Sequence, residues 1–176
     1  MKLNTLEQLY VSELRDLYNA ENQLLKALPK MGKGASADEL RQAFETHLRE
    51  TEGQVKRLEE IFKDLDESPK GKTCKAMKGL VEEGSEILEE DGEESVLDAG
   101  IIAAAQKVEH YEIASYGTVC AFAELLGEKE AVKLLQQTLD EESAANEKLN
   151  ELAEGIVNPE ALSESEEFAT SDSPRR

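Results

Sequence analysis

The sequence has no tryptophan and few aromatic residues, prolines or cysteines, and these shortages narrow the classes of protein to which it can belong. Only 5% of its 176 residues are aromatic, four are proline and two are cysteine. The cysteines, Cys74 and Cys120, lie far apart and match no metal-ligand spacing. With abundant Ala, Leu, Glu and Lys, this composition favours an all-α protein.

Long apolar runs are also missing from the chain. The longest, AGIIAAA, is too short to cross a bilayer, and the first residues, MKLNTLEQLY, lack the apolar run of a signal peptide. A formal net charge of -19 should repel nucleic acid and anionic membrane surfaces. We therefore expect a soluble, cytoplasmic protein that has neither nucleic acid nor a membrane as its partner.

Apolar residues recur at helical spacing in four long segments and one short segment. The segment PKMGKGAS, with its proline and two glycines, should end the first helix, and Ser36 with Glu39 forms a capping box that should open the second. Gly127 is expected to cap the fourth helix, and the Asn158-Pro159 pair to stop the fifth. The expected helices cover about residues 4–31, 37–65, 74–90, 94–126 and 129–157.

Four long helices and one short helix fit a four-helix bundle. The long stretch between the second and third bundle helices suits a crossover that carries the short helix. We assign residues 1–157 to this bundle. The remaining residues, 158–176, are polar, acidic and rich in serine, and we expect them to be a disordered tail.

Polar residues interrupt the apolar stripe of every long helix close to its midpoint. At about 100° per residue, Glu21, Glu112 and Glu142 point at the core from three of the helices. The second helix contributes His47, flanked by Glu50. Because the midpoints of packed helices meet at one level, these side chains should converge on a single polar layer.

Such a layer needs a partner for its charges. Buried carboxylates repel one another unless they are protonated, paired or bound to a cation. No Arg or Lys lies on the central stripes at this level. Two solutions remain open, which are a bound divalent metal and a network of shared protons or water. A faint internal repeat, ETEGQ at 50–54 and ESAAN at 142–146, agrees with two similar halves that meet at one site.

Several segments resemble the YciE/YciF-type stress-protein family of the ferritin-like superfamily. They are LYNAENQLLKALPKM, HLRETEGQVKRLE, AAAQKVEHYEIASYGT and LDEESAANEKLNELAE. The resemblance covers most of the chain. It implies a ferritin-like four-helix bundle that forms a homodimer and takes part in stress responses.

The superfamily binds two metal ions with one Glu on the first helix and Glu-x-x-His on the second, repeated on the other helix pair. Carried over, Glu21, Glu50 and Glu142 match three of the glutamates, while Glu109 and Glu112 resemble paired glutamates on the fourth helix. The resemblance thus implies a metal set of Glu21, His47, Glu50, Glu109, Glu112 and Glu142.

The histidines of that motif are absent. Gly53 and Ala145 occupy the two positions at which the motif has a histidine. His47 lies three residues before Glu50 instead of three after it. An oxygen-rich set leans toward Mn or Mg, although two Fe or Mn ions remain the expected cofactor. We expect either a carboxylate-bridged metal pair that acts on iron, oxygen or peroxide, or a non-catalytic structural or interaction bundle that has lost its ancestral site. No catalytic residue is assigned, and the sequence leaves open whether the protein is an enzyme.

Overall fold

Helices form all the regular secondary structure of residues 3–171, which are the residues described by the computed structural model of the chain. Side chains are described for residues 3–165. The helices are α1 (Leu6–Gly34), α2 (Asp38–Asp64), α3 (Lys75–Glu89), α4 (Glu94–Leu126), α5 (Lys129–Leu152) and α6 (Asn158–Ser171), with a π-helical turn at Ala153–Val157. The expected all-α class is confirmed.

The four long helices form the bundle that the sequence predicts. α1 packs against α2, α4 packs against α5, and the two pairs meet through contacts of α2 with α5 and of α1 with α4. The short α3 lies in the crossover between α2 and α4 and packs on α1 and α4. No helix in the part of the chain described by the structure is long and apolar enough to cross a membrane.

The apolar core of the bundle is divided into two clusters. One is built around Leu24, Leu28 and Phe44 and includes Ile101 and Leu149. The other is built around large side chains from all four long helices, namely Leu14, Leu17, Leu58, Phe62, Tyr116 and Leu135. The polar residues of the candidate site occupy the level between the two clusters, because their positions on each helix fall between the apolar residues of one cluster and those of the other.

The expected end of α1 is wrong by three residues. The helix continues through Pro29 and Gly32 to Gly34. Burial of Leu28 and Met31 on either side of Pro29 holds this last turn against the core, which offsets the hydrogen bond that proline cannot make. Gly34, the last residue of the helix, also serves packing, since a Cβ atom there would collide with the Leu88 side chain of α3.

The expected capping box at the start of α2 is also wrong. The residue before the helix is Ala37, and no side chain of its own turn caps the helix. The buried carboxylate of Asp98 on α4 takes this role, because it accepts hydrogen bonds of 2.8 Å from the backbone N–H groups of Ser36 and Ala37. A cap from a distant helix cannot be read from local sequence, and it ties the start of α2 to α4.

The chain beyond α5 differs from the expected disordered tail. The Asn158-Pro159 pair does not stop the helical path, which passes through the π-helical turn into α6. Proline is tolerated here because it lies in the first turn of α6, where its missing N–H costs little. α6 packs on α4, and the Ser95 hydroxyl donates a 2.5 Å hydrogen bond to Glu164. Residues 172–176 lie outside the described residues.

We expect Asp98→Ala to lower the free energy of unfolding by about 2–3 kcal/mol, because it leaves two backbone N–H groups without a charged acceptor. Urea unfolding followed by circular dichroism measures the change. Ser36→Ala is the matched control and should change stability by less than about 0.5 kcal/mol, because the Ser36 side chain does not cap α2. If Ser36→Ala lowered the free energy of unfolding more than Asp98→Ala, the result would support a capping box of Ser36 and Glu39 instead.

Candidate metal centre

Five buried titratable side chains from the four long helices meet at one level of the bundle. They come from α1 (Glu21), α2 (His47), α4 (Glu109 and Glu112) and α5 (Glu142). Each lies on the face of its helix that carries the core residues, so helical periodicity itself turns it inward. Glu109, which the sequence places nearer the edge of its stripe, is as fully buried as the others.

Four of these residues are grouped tightly enough to share one ion. His47, Glu109, Glu112 and Glu142 each offer a ligand atom, and the four atoms lie within 4.8 Å of one another. His47 Nε2 is 3.4 Å from Glu109 Oε1 and 3.6 Å from Glu142 Oε2. The combination of one imidazole and three carboxylates is a donor set that divalent transition metals accept.

Glu21 lies beside this group and is oriented by a tyrosine. Tyr116, four residues after Glu112 on α4, donates a hydrogen bond from its hydroxyl group to Glu21 Oε1. The second oxygen of Glu21 stays free of protein partners within the described residues. The sequence does not single out Tyr116, although the four-residue spacing from Glu112 places it on the same face of α4 and was an available signal.

Gln54 fixes the opposite side of the site. Its amide donates to Glu142 Oε1 and, at 3.3 Å, to Glu141 Oε2. Glu141 in turn pairs with Arg57, which also donates a 2.9 Å hydrogen bond to Thr138. The guanidinium group therefore pairs directly with Glu141, and its charge lowers the pKa of Glu21 much less than burial raises it.

Glu50 is the one expected site residue that lies apart from the buried group. Its side chain is 38% exposed, and its Oε2 atom is 3.4 Å from His47 Nδ1. It contacts the imidazole from the outer side, while Nε2 of the same ring faces Glu109 and Glu142. Glu50 can thus orient His47, which in turn belongs to the tight group.

The site leaves six ligand atoms without a hydrogen-bond partner among the described residues. One nitrogen and five oxygens are in this state: His47 Nε2, Glu21 Oε2, Glu109 Oε2, Glu142 Oε2 and both carboxylate oxygens of Glu112. A buried polar atom without a partner costs about 1–3 kcal/mol, and more if it is charged. Because native cores pair most such atoms, six of them in one place require partners, which are protons shared between the carboxyl groups, water or an ion.

Burial dominates the electrostatics of the carboxyl groups. It raises the pKa of Glu21 to about 8, with a contribution from the nearby charge of Glu142, and it raises the pKa of Glu109 to about 8 as well. The pKa values of Glu112 and Glu142 are raised in the same direction, again mainly by burial.

Burial alone would lower the pKa of His47, but the hydrogen bond that its Nδ1–H donates to Glu50 and the charges of Glu142 and Glu21 outweigh it and raise that pKa. Without a metal, these five groups share protons, since neighbouring carboxylates cannot all ionise at this spacing. A divalent ion would replace those protons, so the donor set fits such an ion.

Comparison with known proteins places the chain among helical bundles of one family. The family model described as "Domain of unknown function (DUF892)" matches residues 5–162. The Escherichia coli (strain K12) protein YciF is 46% identical over 162 residues, which cover 92% of this chain and 98% of YciF.

Solved structures share the fold, and three of them are described. The crystal structure of the E. coli stress protein YciF has a TM-score of 0.85 and 47% identity, and it covers 88% of this chain and 98% of that chain. The Rhodopseudomonas palustris protein YcfI has a TM-score of 0.82 and 48% identity, with 85% and 95% of the two chains covered. A Xanthomonas campestris pv. campestris protein has a TM-score of 0.73, and at 22% identity it shows the fold alone.

The raised carboxyl pKa values predict how the stability of the metal-free protein depends on pH. Folded Glu21, Glu109, Glu112 and Glu142 keep protons that the unfolded chain releases above about pH 4–5. The contribution of these four groups to stability should therefore be greatest below that range and fall as the pH rises toward about 8, by at most about 1.4 kcal/mol per pH unit for each group. Urea unfolding in the presence of a chelator measures this slope.

Glu112→Gln should flatten the slope and raise the unfolding midpoint at alkaline pH, because it removes one buried ionisable group. Glu52→Gln, an exposed change on α2, is the matched control and should keep the wild-type profile. If the stability of the metal-free protein did not change between about pH 5 and pH 8, the carboxyl groups would not be buried in their protonated form, and the assignment would be wrong.

Proposed function

This chain belongs to the DUF892 family, the YciE/YciF-type family that its motifs resemble, and on that premise we propose that it is a stress-response protein whose buried His–Glu cluster binds divalent metal ions. The stress role is supported by the E. coli relative, whose crystal structure is described as that of a stress protein. Metal binding is supported by the site itself.

The single observation that carries the metal proposal is the group of six unpartnered ligand atoms between two apolar core clusters. An ordinary buried network would pair these atoms with protein donors, as Tyr116 and Gln54 do for Glu21 and Glu142. The remaining atoms are directed at one another, and a cation is the partner that the carboxyl groups require once they are ionised, because an ionised carboxylate can only accept hydrogen bonds.

His47, Glu109, Glu112 and Glu142 hold the ion in this proposal, and Glu21 supplies the carboxylate for a second ion. The ligands are mostly oxygen atoms, which favours Mn or Fe in the divalent state over softer metals. Such an ion supplies a Lewis acid and, where it is redox-active, electrons for a reaction with dioxygen or peroxide. Glu50 acts from outside by holding the imidazole of His47 in place.

The cellular setting and the assembly are part of the same proposal. The net charge of -19 supports a cytoplasmic protein without a nucleic-acid or membrane partner. Homodimer formation, which the family resemblance implies, is supported by α4. This helix leaves Ala103, Ala114, Ala121 and Leu125 exposed outside the bundle of a single chain. Size-exclusion chromatography with light scattering distinguishes a dimer from a monomer.

A second candidate function is a non-catalytic bundle that keeps only a hydrogen-bonded polar layer. Two observations favour it: Gln54 and Tyr116 already occupy one oxygen each of Glu142 and Glu21, and the two histidine positions of the superfamily motif hold Gly53 and Ala145. In this case the carboxyl groups stay protonated, and the protein acts through its surface.

Elemental analysis of protein made without a histidine tag separates the two functions. We expect the wild-type chain, loaded without oxygen with Mn(II) or Fe(II), to keep about one to two ions per chain after desalting. Glu112→Gln and Glu142→Gln should each lower this content at least about tenfold, because each removes a buried ligand. Glu52→Gln and Glu147→Gln, which change exposed residues of α2 and α5, are the controls and should retain the metal.

If the wild-type protein kept no ion after loading with either metal, the metal proposal would be wrong. The non-catalytic bundle with a hydrogen-bonded polar layer would then be the supported function. Thermal unfolding gives a second readout. Mn(II) should raise the melting temperature of the wild-type chain but not that of Glu112→Gln, because only binding to the folded state is linked to stability.

A further inference from the structure

The ligand atoms of the metal centre are divided unequally between two positions. Four residues of α2, α4 and α5 each offer one atom, and these four atoms lie within 4.8 Å of one another. Spacing of this kind suits a single ion, because oxygen and nitrogen ligands lie about 2.0–2.2 Å from a divalent metal and so crowd around it. Glu21 of α1 is not a member of this group of four.

Two of the six unpartnered ligand atoms remain once each member of the group has supplied one. They are Glu21 Oε2 and the second oxygen of Glu112. After burial, the charge of Glu21 is the largest cause of the raised pKa of Glu112, which agrees with two carboxyl groups that lie close together. Within the described residues, a second ion would therefore have two carboxylate oxygens, whereas the first has four ligand atoms that include a nitrogen.

Tyr116 limits what Glu21 can give to the second ion. The tyrosine is fully buried, and its hydroxyl group donates a hydrogen bond to Glu21 Oε1. Glu21 can bind an ion through both oxygens only if this hydrogen bond breaks. A buried hydroxyl group would then be left without a partner, which is unfavourable in an apolar core. Glu21 is therefore held to one oxygen.

Gln54 limits the number of carboxylates that can bridge two ions. A bridging carboxylate gives one oxygen to each ion, but the Gln54 amide donates a hydrogen bond to Glu142 Oε1 and leaves only Oε2 unpartnered. Glu50 lies on the outer side of His47 and is 38% exposed, so it does not bridge from there. In the described part of the chain, Glu112 is the carboxylate of the site that has both oxygens unpartnered.

Charge and ligand supply act in opposite directions on a second ion. Two divalent ions would balance the four buried glutamates of the site, so charge alone favours a pair. The supply of ligand atoms favours one ion, because a change in a single contact around a metal typically alters its affinity about 10–100-fold. The second position has two ligand atoms fewer than the first. A second ion is thus allowed by charge but held weakly.

On the basis of the metal function above, we propose that the centre has two unequal positions, a tight one at the group of four residues and a weak one between Glu21 and Glu112. Tyr116 and Gln54 are the specificity-determining residues, because each holds one carboxylate oxygen away from the second ion. The tight position keeps its divalent ion, and the weak position exchanges its ion with the solution.

The test is a titration of the metal-free, full-length chain with Mn(II). Electron paramagnetic resonance measures free Mn(II) and detects magnetic coupling within a pair of ions about 3.5–4 Å apart. The first ion should bind with a dissociation constant at least about tenfold lower than the second, because it has more protein ligands. Up to one equivalent, bound Mn(II) should give the spectrum of isolated ions, and coupling should appear only above one equivalent.

Tyr116→Phe removes the hydroxyl group and frees Glu21 Oε1. The second ion should then bind at least about tenfold more tightly, while the dissociation constant of the first should change by less than about threefold. Gln54→Met frees Glu142 Oε1 for a bridge and is the second variant in case Tyr116→Phe does not fold. It should also reduce the difference between the two affinities.

Two matched controls carry the same substitutions outside the metal centre. Tyr18→Phe removes a hydroxyl group that bonds Glu59, and Gln42→Met removes an exposed amide of α2. Both should bind Mn(II) like the wild-type chain. Equal affinities for the two ions, a coupled pair below one equivalent, or an unchanged difference in affinity in every folded variant of Tyr116 and Gln54 would each overturn the proposal.

The same titration separates the unequal positions from the metal function itself. Two ions that bind equally would overturn the inequality and leave metal binding intact. A wild-type chain that takes one ion agrees with the inequality if Tyr116→Phe or Gln54→Met takes two, and contradicts it if no folded variant does. If the wild-type chain binds no Mn(II), and no Fe(II) in the elemental analysis, both proposals are wrong.

Discussion

The burial of carboxyl groups without a paired cation is the constraint on which the rest of this structure depends. Glu21, Glu112 and Glu142 are fully buried, and Arg57, the nearby cation, is occupied by Glu141. A layer of this kind cannot be stabilised by apolar packing, since each ionised group would lose its hydration. The bundle therefore needs protons or a metal ion at this level, and its stability is linked to whichever of the two is present.

The same layer explains how the core is arranged. Two apolar clusters, one around Phe44 and one around Phe62, lie on either side of it and hold the four long helices in register. Because each cluster includes residues from all four long helices, the polar side chains are fixed from both directions along the bundle axis. A site held this way is preorganised, because the side chains that support it are locked by packing.

The helical spacing of apolar and polar residues predicted those features of the structure that are determined within a single helix. The inward direction of Glu21, His47, Glu112 and Glu142 follows from helical spacing alone, and the four-helix bundle follows from the lengths of the amphipathic segments. Features that depend on two helices were not predictable in this way. Tyr116 reaches Glu21 across the bundle, as Asp98 reaches the start of α2. The same holds for a surface cleft whose lining residues come from α2, α5 and, with Glu109, α4.

The internal repeat shows why the site is asymmetric although its sequence suggests two equal halves. Gln54 and Asn146 hold the same place in the repeat, but Gln54 bonds Glu142 and Glu141, whereas Asn146 Oδ1 is buried without a partner in the described part of the chain. His47, three residues before Glu50, has Leu139 as its counterpart three residues before Glu142.

The imidazole therefore enters from α2 only. One half of the repeat supplies a nitrogen ligand and a bonded amide, while the other has Ala145 at the position where the superfamily motif has a histidine. With alanine at this position α5 supplies a carboxylate but no imidazole, and the amide that orients this carboxylate, Gln54, comes from α2. The two halves of the repeat therefore play different parts in one site, since α2 supplies the nitrogen ligand and the orienting amide and α5 supplies the buried carboxylate.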